Sequence, residues 1–249
     1  MSKQLYEGYT RFLNQLSTPQ RDQFRELGEG QQPHTLVISC VDSRVDPMQI
    51  FDAAPGELLI LRNVANIVPA PESDAVQYSS SSALEFAVTV LKVKTILVLG
   101  HSGCGGVAAA LATRGAEKTE GFVGAWVSQL HALSETLECN HDQGDHGDHS
   151  DHRDHGEHCD HHNHSDPHSG QSVGQSSGQG KGHKQQGDSP QHALELASLR
   201  QSLAHLERFD FVREAMAAGQ LQLEAAWFSV PDTALYRWDG TAFTSLAGD

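Results

Sequence analysis

The chain has 249 residues, of which 38% are hydrophobic, and a formal net charge of −15. This length suffices for one domain with a substantial core, and the acidic balance argues against a nucleic-acid partner. No run approaches the roughly eighteen apolar residues of a membrane span, which argues against a membrane partner. Because the first residues also lack a charged-then-apolar signal pattern, we expect a cytoplasmic protein.

The first third of the chain predicts helices followed by strands. Residues 6–26 place apolar side chains at helical spacing and predict one or two helices. Residues 35–40, TLVISC, form a short apolar run rich in β-branched residues, as expected of a buried parallel strand. Residues 58–62 predict the next strand. The apolar positions of the N-terminal helices are Tyr9, Phe12, Leu13 and Leu16.

The middle of the chain predicts a helix, a second buried strand and another helix. Ser82 and Glu85 form a capping-box signature, which predicts a helix start at that point. Residues 95–100, TILVLG, repeat the pattern of a buried strand. The helix predicted after it, over 105–113, would direct its first amides at the end of that strand, where an anion is favoured. The predicted apolar side of the capped helix comprises Ala83, Ala87, Val90 and Leu91.

The last part of the chain predicts two packed helices and two strands. Residues 221–228 predict a further strand and 235–238 an edge strand. The whole pattern predicts an α/β fold: a mostly parallel central sheet of about four strands plus a C-terminal edge strand, flanked by helices. One helical stripe contains Phe122, Trp126, Leu130, Leu133 and Leu137, and the other Leu196, Leu199, Leu203 and Leu206.

Residue types that commonly bind metals lie at or just after the ends of two predicted strands. Cys40 ends the first, and His101 and Cys104 follow the second. Two thiolates and one imidazole are the ligands of a zinc site that keeps its fourth position open. Because ligands bind beyond the carboxyl ends of strands in open α/β sheets, adjacent strands would bring the three together. Asp42 would share a face with Cys40, because side chains alternate along a strand.

Each part of this pattern has an ordinary alternative. A single cysteine at a strand end is usually a small buried apolar residue, and a His-x-x-Cys pair alone is little more specific. Residues 100–106 could form a phosphate-binding turn. That turn lacks the P-loop lysine, however, and no acidic residue marks the end of the next strand. The combination of motifs is therefore much more specific than its parts.

The motifs together resemble the β-class carbonic anhydrases. The resemblance rests on CVDSR, PGELLILRNVANIV and GHSGCGG in the same order and spacing, and it extends through LRQSLAHLERFDFVREAMAAGQLQL near the C-terminus. It implies a single domain over 1–249, interrupted by an insert over 139–190. It also implies a zinc lyase that reversibly hydrates carbon dioxide to bicarbonate and a proton, using a zinc-bound hydroxide. Members of the family are obligate dimers with shared active-site walls, and some pair into tetramers.

The resemblance also implies roles for particular residues. Cys40, His101 and Cys104 would bind zinc, and Asp42 and Arg44 would form a dyad beside the open position. Asp42 could itself become the fourth ligand if Arg44 released it. The substrate-binding residues implied are Gln31, Leu59, Val64, Phe86 and Gly105. Two thiolates neutralise the zinc charge, so we expect a bound-water pKa at or above about 7 and activity that rises toward alkaline pH. Thiolate ligands also fit a reducing compartment.

The insert is rich in metal-binding side chains. Ten of the sixteen histidines lie within 141–168, where eight acidic residues and Arg153 give a charge of −7. Imidazole suits zinc, copper and nickel, so we expect several exchangeable, moderately tight metal sites in a flexible loop, weakened as histidine protonates. The secondary metal ligands predicted are His146, His149, His152, His155, His158, Cys159, His161, His162 and His164.

Several functions are open for this insert. It could be a metal reservoir that raises local zinc, a proton buffer, a sensor that folds around metal and alters assembly, or a solvated linker without selected function. For the whole protein, one alternative is metal storage or delivery on a carbonic anhydrase scaffold. Another is hydrolysis of carbon disulfide or carbonyl sulfide, which related proteins carry out with the same zinc ligands.

Overall fold

The structure, a computed structural model, describes residues 1–72, 78–116, 120–142 and 189–246. In these residues one sheet has the order β2-β1-β3-β4-β5-β6. The first four strands in this order are parallel, and β5 and β6 are antiparallel to their neighbours. The strands are β1 (Thr35–Cys40), β2 (Leu58–Asn63), β3 (Thr95–His101), β4 (Gln222–Ser229), β5 (Ala234–Trp238) and β6 (Phe243–Ser245).

Helices surround this sheet and connect its parallel strands. A 3₁₀ turn over Val64–Asn66 follows β2, a π-helical turn over Phe86–Val90 extends α4, and a 3₁₀ turn over Ser128–Leu130 joins α6 to α7. The α-helices are α1 (Lys3–Gln15), α2 (Thr18–Leu27), α3 (Pro47–Ile50), α4 (Tyr78–Glu85), α5 (Gly105–Ala112), α6 (Gly121–Val127), α7 (His131–Asp142), α8 (Pro190–Leu206) and α9 (Asp210–Ala217). Among the described helices, none is long and apolar enough to cross a membrane.

The core lies on both faces of the parallel strands. Their side chains alternate between the faces, so β1 buries Leu36 and Ile38 on one side and Val37 on the other. Helix α8 covers the first face with Leu199 and Leu206, both fully buried. A third cluster surrounds the carboxyl ends of the strands and includes Cys40 and Cys104. The fold therefore places both cysteines in a packed, largely apolar environment.

The predicted α/β class and mostly parallel sheet are confirmed, with three local corrections. Ser82 lies inside α4, where its hydroxyl donates to the carbonyl of Ser79, so the predicted helix start at Ser82 was wrong. The C-terminal edge strand is β6 rather than β5, because the short strand β6, which pairs antiparallel with β5, was not predicted. Phe122 is 97% exposed and does not join the core side of its predicted stripe.

The N-terminal helices form as predicted but leave their apolar side uncovered. Neither α1 nor α2 contains a buried residue. The rings of Tyr9, Phe12 and Phe24 pack on one another yet remain exposed. A capping box at Ser17 and Gln20 begins α2, since each residue bonds the other's backbone. Local sequence thus accounts for these two helices without packing against the sheet.

Candidate metal centre

The ends of two neighbouring strands and the start of one helix carry the candidate metal ligands. Cys40 is the last residue of β1, His101 the last residue of β3, and Cys104 immediately precedes α5. Gly103 makes the turn between them with φ of +63°, a conformation that glycine adopts without steric cost. Gly106 lets α5 approach the sheet, because a Cβ there would lie 2.7 Å from the Val64 side chain.

The structure brings the three predicted ligands together. The two sulfurs and a ring nitrogen of His101 all lie within 4.8 Å of one another, and all three residues are buried. The two sulfurs are 3.9 Å apart. Sulfurs bound to one tetrahedral zinc at about 2.3 Å would lie about 3.8 Å apart, so the spacing fits this metal.

The hydrogen bonding of His101 also fits a metal ligand. Its Nδ1 donates to the Ser102 carbonyl at 3.0 Å, which leaves the lone pair of the neutral ring on Nε2. Nε2 is buried and has no hydrogen-bond partner among the described residues. A buried polar atom without a partner is costly, and a bound cation would remove that cost. The three residues therefore suit a bound zinc ion.

The two thiols influence each other's ionisation in the metal-free chain. The hydrogen bond with Cys104 lowers the pKa of Cys40 to about 4, against the opposing effect of burial. The same hydrogen bond, together with burial, raises the pKa of Cys104. Burial lowers the pKa of His101, but its interactions with Cys40, the Ser102 carbonyl and Asp42 together outweigh burial, and the net shift is upward. The group thus carries less than its full negative charge until a cation binds.

Asp42 and Arg44 lie beside the three candidate metal ligands. The Arg44 side chain donates to both carboxylate oxygens of Asp42 at 2.9 and 2.7 Å, and its backbone N–H donates to Oδ1 at 2.9 Å. These bonds hold the pKa of Asp42 well below its usual range. Asp42 Oδ2 lies 3.9 Å from His101 Nε2. The structure therefore brings the two residues into contact, with the Asp42 carboxylate bound to the Arg44 guanidinium.

Arg62 supports the same loop and was missed by sequence reasoning. Its Nε donates to the Cys40 carbonyl at 2.8 Å, and one Nη donates to the carbonyls of Asp42 at 2.7 Å and Val45 at 2.8 Å. This side chain ties β2 to the turn that carries Cys40 and Asp42. The sequence signal was an arginine directly after the apolar run 58–61, which gives no information about its partners.

The predicted substrate residues fall into two groups. Val64 and Gly105 lie near the metal ligands: Val64 directly follows β2 and packs toward α5, and Gly105 begins α5. Gln31 lies beyond the amino end of β1, at the opposite edge of the sheet from Cys40, in a surface cavity that it shares with Val90. The structure does not bring Gln31 to the thiols of its own chain.

Leu59 and Phe86 also lie outside the group formed by Cys40, His101 and Cys104. Leu59 is the second residue of β2, beside Leu36 near the amino end of β1, and it packs against the main core. Phe86 begins the π-helical turn and is 45% exposed.

Residues 143–188, which make up most of the histidine-rich insert, lie outside the described residues. The secondary ligands predicted there, His146, His149, His152, His155, His158, Cys159, His161, His162 and His164, all fall in this gap. The insert rejoins the described chain at Ser189, whose hydroxyl accepts a hydrogen bond from the backbone of His192 and so caps α8.

Comparisons with known proteins agree with this site. The family model described as carbonic anhydrase matches residues 35–165. The chain is 26% identical over 233 residues to β carbonic anhydrase 6, mitochondrial, of Arabidopsis thaliana, covering 92% of this chain and 65% of that protein. It is 40% identical over 106 residues to β carbonic anhydrase 5, chloroplastic, of the same plant, covering 43% and 35%. The matches thus span less than two thirds of either relative's length.

A solved structure shares the fold over almost the whole chain. The β-carbonic anhydrase CcaA superposes with a TM-score of 0.75 at 21% identity, covering 99% of this chain and 92% of that one. With more than half of the chain matched by the family model, and with the fold and the Cys-His-Cys arrangement in agreement, this chain belongs to the β-class carbonic anhydrase family.

Proposed function

We propose that this protein catalyses the reversible hydration of carbon dioxide to bicarbonate with one zinc ion held by Cys40, His101 and Cys104. The observation that carries the proposal is the buried group of three ligand atoms within 4.8 Å, one of which, His101 Nε2, has no partner among the described residues. Zinc bound there would act as a Lewis acid and make hydroxide available near neutral pH by lowering the pKa of water.

Asp42 orients the nucleophile in this proposal. Its carboxylate remains ionised because Arg44 binds both oxygens, so it can accept a hydrogen bond but has no proton to donate. An O–H group beside His101 would therefore point its hydrogen at Asp42 and direct a lone pair toward carbon dioxide. Arg44 fixes the carboxylate and keeps it from becoming a fourth ligand.

Two neighbouring groups suit the substrate and the product. Gly105 begins α5, and its backbone N–H lies at a helix N-terminus, where an anionic oxygen of bicarbonate is stabilised. Val64 offers an apolar side chain beside the same helix, as an uncharged molecule such as carbon dioxide requires. The proton released on hydration leaves to solvent or buffer.

We infer that the two exposed members of the remaining predicted pocket residues, Gln31 and Phe86, serve the metal site of a second copy of the chain. Gln31, Leu59 and Phe86 lie away from the thiols of their own chain, and Phe86 exposes nearly half of its surface. We infer a homodimer, with further pairing into a tetramer open, in which each copy brings Gln31 and Phe86 to the other's metal site. The exposed apolar side of α1 and α2 provides further surface for such contact.

Complementation tests this shared site. Cys104→Ser and Gln31→Ala are made separately and then mixed under conditions that exchange subunits. If one site draws on both copies, each mixed dimer contains one site with neither substitution, so the mixture regains activity that neither variant has alone. If the mixture shows only the sum of the two separate activities, the two residues belong to sites within single chains.

We propose that residues 1–249 form one domain interrupted by the insert over 139–190. Helix α8, which follows the insert, packs on β3 and α5, which precede the insert, and on β4, which follows it.

The cytoplasmic location stays a prediction. The proposed thiolate ligands support a reducing compartment, whereas the two plant relatives are named as mitochondrial and chloroplastic proteins.

We also propose that the insert captures metal ions for the catalytic site. Its composition supports this, and so does the place where it ends: Gln191, two residues after the α8 cap, donates to the Cys104 carbonyl at 3.2 Å. Metal collected by the insert would therefore be concentrated in a chain segment whose next residue, Gln191, is hydrogen-bonded to a proposed zinc ligand.

A deletion of residues 142–187 tests metal capture. Carbon dioxide hydration is measured by stopped flow for the deleted and full-length proteins, both prepared metal-free and supplied with chelator-buffered zinc. Capture predicts equal rates at saturating zinc but faster recovery of the full-length protein at limiting zinc. A difference confined to low buffer concentration would favour proton buffering, and a change in oligomeric state would favour a sensor.

Zinc loading of the full-length protein tests the proposed catalysis. Zinc-loaded protein should hydrate carbon dioxide, and Cys104→Ser should not. If the full-length protein binds several metal ions but neither form shows turnover, the catalytic proposal fails and metal storage becomes the better account. Assays with carbon disulfide and carbonyl sulfide on the same samples address the neighbouring reactions.

A further inference from the structure

Helix α8 places a buried carboxylate directly behind a proposed zinc ligand. Glu195 is 3% exposed. Its Oε1 accepts the backbone N–H of Cys104 at 3.0 Å and the Gln191 side-chain amide at 3.2 Å, and its Oε2 accepts the Trp227 indole N–H at 3.1 Å. Glu195 therefore binds three donors from three separate parts of the chain.

Both backbone polar groups of Cys104 are held from this helix. Glu195 accepts from its N–H, and Gln191 donates to its carbonyl at 3.2 Å while also bonding Glu195. The two side chains are four residues apart and so lie on the same side of α8. Helix α8 packs against β3 and β4, and Leu199 lies against Gly100 just before the His101 ligand. The position of Cys104 is thus tied to the rigid core.

The chemistry at this point requires a carboxylate rather than an amide. A carboxylate offers acceptor sites on both oxygens, whereas glutamine has one oxygen and an NH₂ group that only donates. A glutamine at position 195 would place its NH₂ group against another donor, either the backbone N–H of Cys104 or the indole N–H of Trp227. A buried carboxylate is costly without partners, and here its three donors offset that cost. Its negative charge also lies next to a residue proposed to bind a dication.

We propose that Glu195 is a positioning residue for the metal site. It holds the Cys104 backbone so that the Cys104 sulfur stays 3.9 Å from the Cys40 sulfur. Its negative charge stabilises the zinc-bound site relative to the metal-free site. The inference rests on the proposed zinc ligands, but it does not depend on which reaction the bound zinc promotes. Outer partners of metal ligands typically change metal affinity by about 10- to 100-fold when removed.

The test is metal affinity in the full-length chain, read at the thiolates. Cobalt(II) bound by cysteine gives a near-ultraviolet thiolate-to-metal absorption, and zinc buffered by a chelator displaces it. This signal reports the Cys40 and Cys104 site, with Cys104→Ser giving the background of the remaining chain. Glu195→Gln should weaken zinc binding by about 10- to 100-fold and alter the cobalt spectrum. Trp227→Phe is the matched control, because it removes one donor to Glu195 but leaves the bond to Cys104.

The outcomes separate positioning from general stability. Urea unfolding of the metal-free proteins is expected to show both variants destabilised, but only Glu195→Gln should lose zinc affinity. Unchanged affinity in Glu195→Gln, or an equal loss in Trp227→Phe, would overturn the inference. If Glu195→Gln does not fold, Gln191→Ala decides: a measurable loss of zinc affinity supports the inference and full affinity overturns it. Failure of carbon dioxide hydration in the unaltered protein would instead count against the proposed function.

Discussion

The guanidinium of Arg44 holds the carboxylate of Asp42 by two side-chain hydrogen bonds, Nε to Oδ1 at 2.9 Å and Nη2 to Oδ2 at 2.7 Å. The same Nη2 donates to the Gly103 carbonyl at 3.0 Å, so the pair is anchored to the turn between His101 and Cys104. This two-pronged contact fixes the orientation of the carboxylate as well as its distance from the guanidinium. The orientation of Asp42 toward the proposed zinc ligands therefore depends on Arg44.

Replacing Arg44 with alanine should leave the metal in place while abolishing turnover. Asp42 loses its two side-chain donors and becomes free to approach the metal, so we expect a fall in the rate constant for hydration of about 100-fold or more. Stopped-flow hydration measures the rate, and the cobalt thiolate absorption measures metal retention. Arg44→Lys is the control for charge alone, since lysine cannot form the two-pronged contact. Full activity in Arg44→Ala would remove the dyad from the mechanism.

Asp42 also predicts a pH dependence of stability. Hydrogen bonds from Arg44 lower its pKa in the folded chain, so the ionised form is stabilised by folding. This contribution is fully present above the unfolded pKa of about 4 and is lost as pH falls through the lower folded value. The difference in unfolding free energy between the metal-free protein and Asp42→Asn should therefore be constant above about pH 5 and shrink in more acidic solution. A difference that grows on acidification would contradict the assignment.

Arg62 should contribute more to stability than a surface arginine. Its replacement by lysine removes the planar group that reaches the carbonyls of Cys40, Asp42 and Val45. Leaving such groups without donors costs about 1–3 kcal/mol in unfolding free energy. The matched control is Arg237→Lys, because Arg237 pairs with Glu224 at the surface and should change stability by less than about 1 kcal/mol. Urea unfolding of both variants decides, and equal effects would refute the role of Arg62.

Removal of zinc should destabilise the protein through the proposed ligands. A ligand that binds only the folded chain stabilises it by about 2.7 kcal/mol when its free concentration is 100 times the dissociation constant. Thermal unfolding in buffered zinc and in excess chelator should show this difference, and Cys104→Ser should show a much smaller one. An equal zinc effect in Cys104→Ser would place the stabilising metal elsewhere in the chain.

The sequence was sufficient to predict the parallel strands and the proximity of the ligand residues. Residues 35–40 and 95–100 are short, apolar and rich in β-branched side chains, which distinguishes buried parallel strands from helices. Because such strands end at one edge of the sheet, residues 40, 101 and 104 could be expected to meet. The structure places their ligand atoms within 4.8 Å.

The contacts that support this site could not be read from the sequence. Glu195 lies in a leucine-rich helix, where an acidic residue ordinarily faces solvent, and its partners Cys104 and Trp227 are distant in the chain. Ser82 fitted a capping box, but the packed helix begins earlier in the described chain and contains that serine. β6 is only three residues long and two of the three are exposed, so the alternation of apolar and polar residues had too few positions to reveal it.

Zinc-dependent hydration of carbon dioxide by the full-length protein is the most direct test. Metal-free protein is titrated with zinc, and the hydration rate is followed by stopped flow beside an identical titration of Cys104→Ser. We expect the rate to rise with added zinc to a plateau in the unaltered protein and to stay at the uncatalysed level in the variant. Hydration that is unaffected by zinc, or equal in both proteins, would contradict a catalytic site at Cys40, His101 and Cys104.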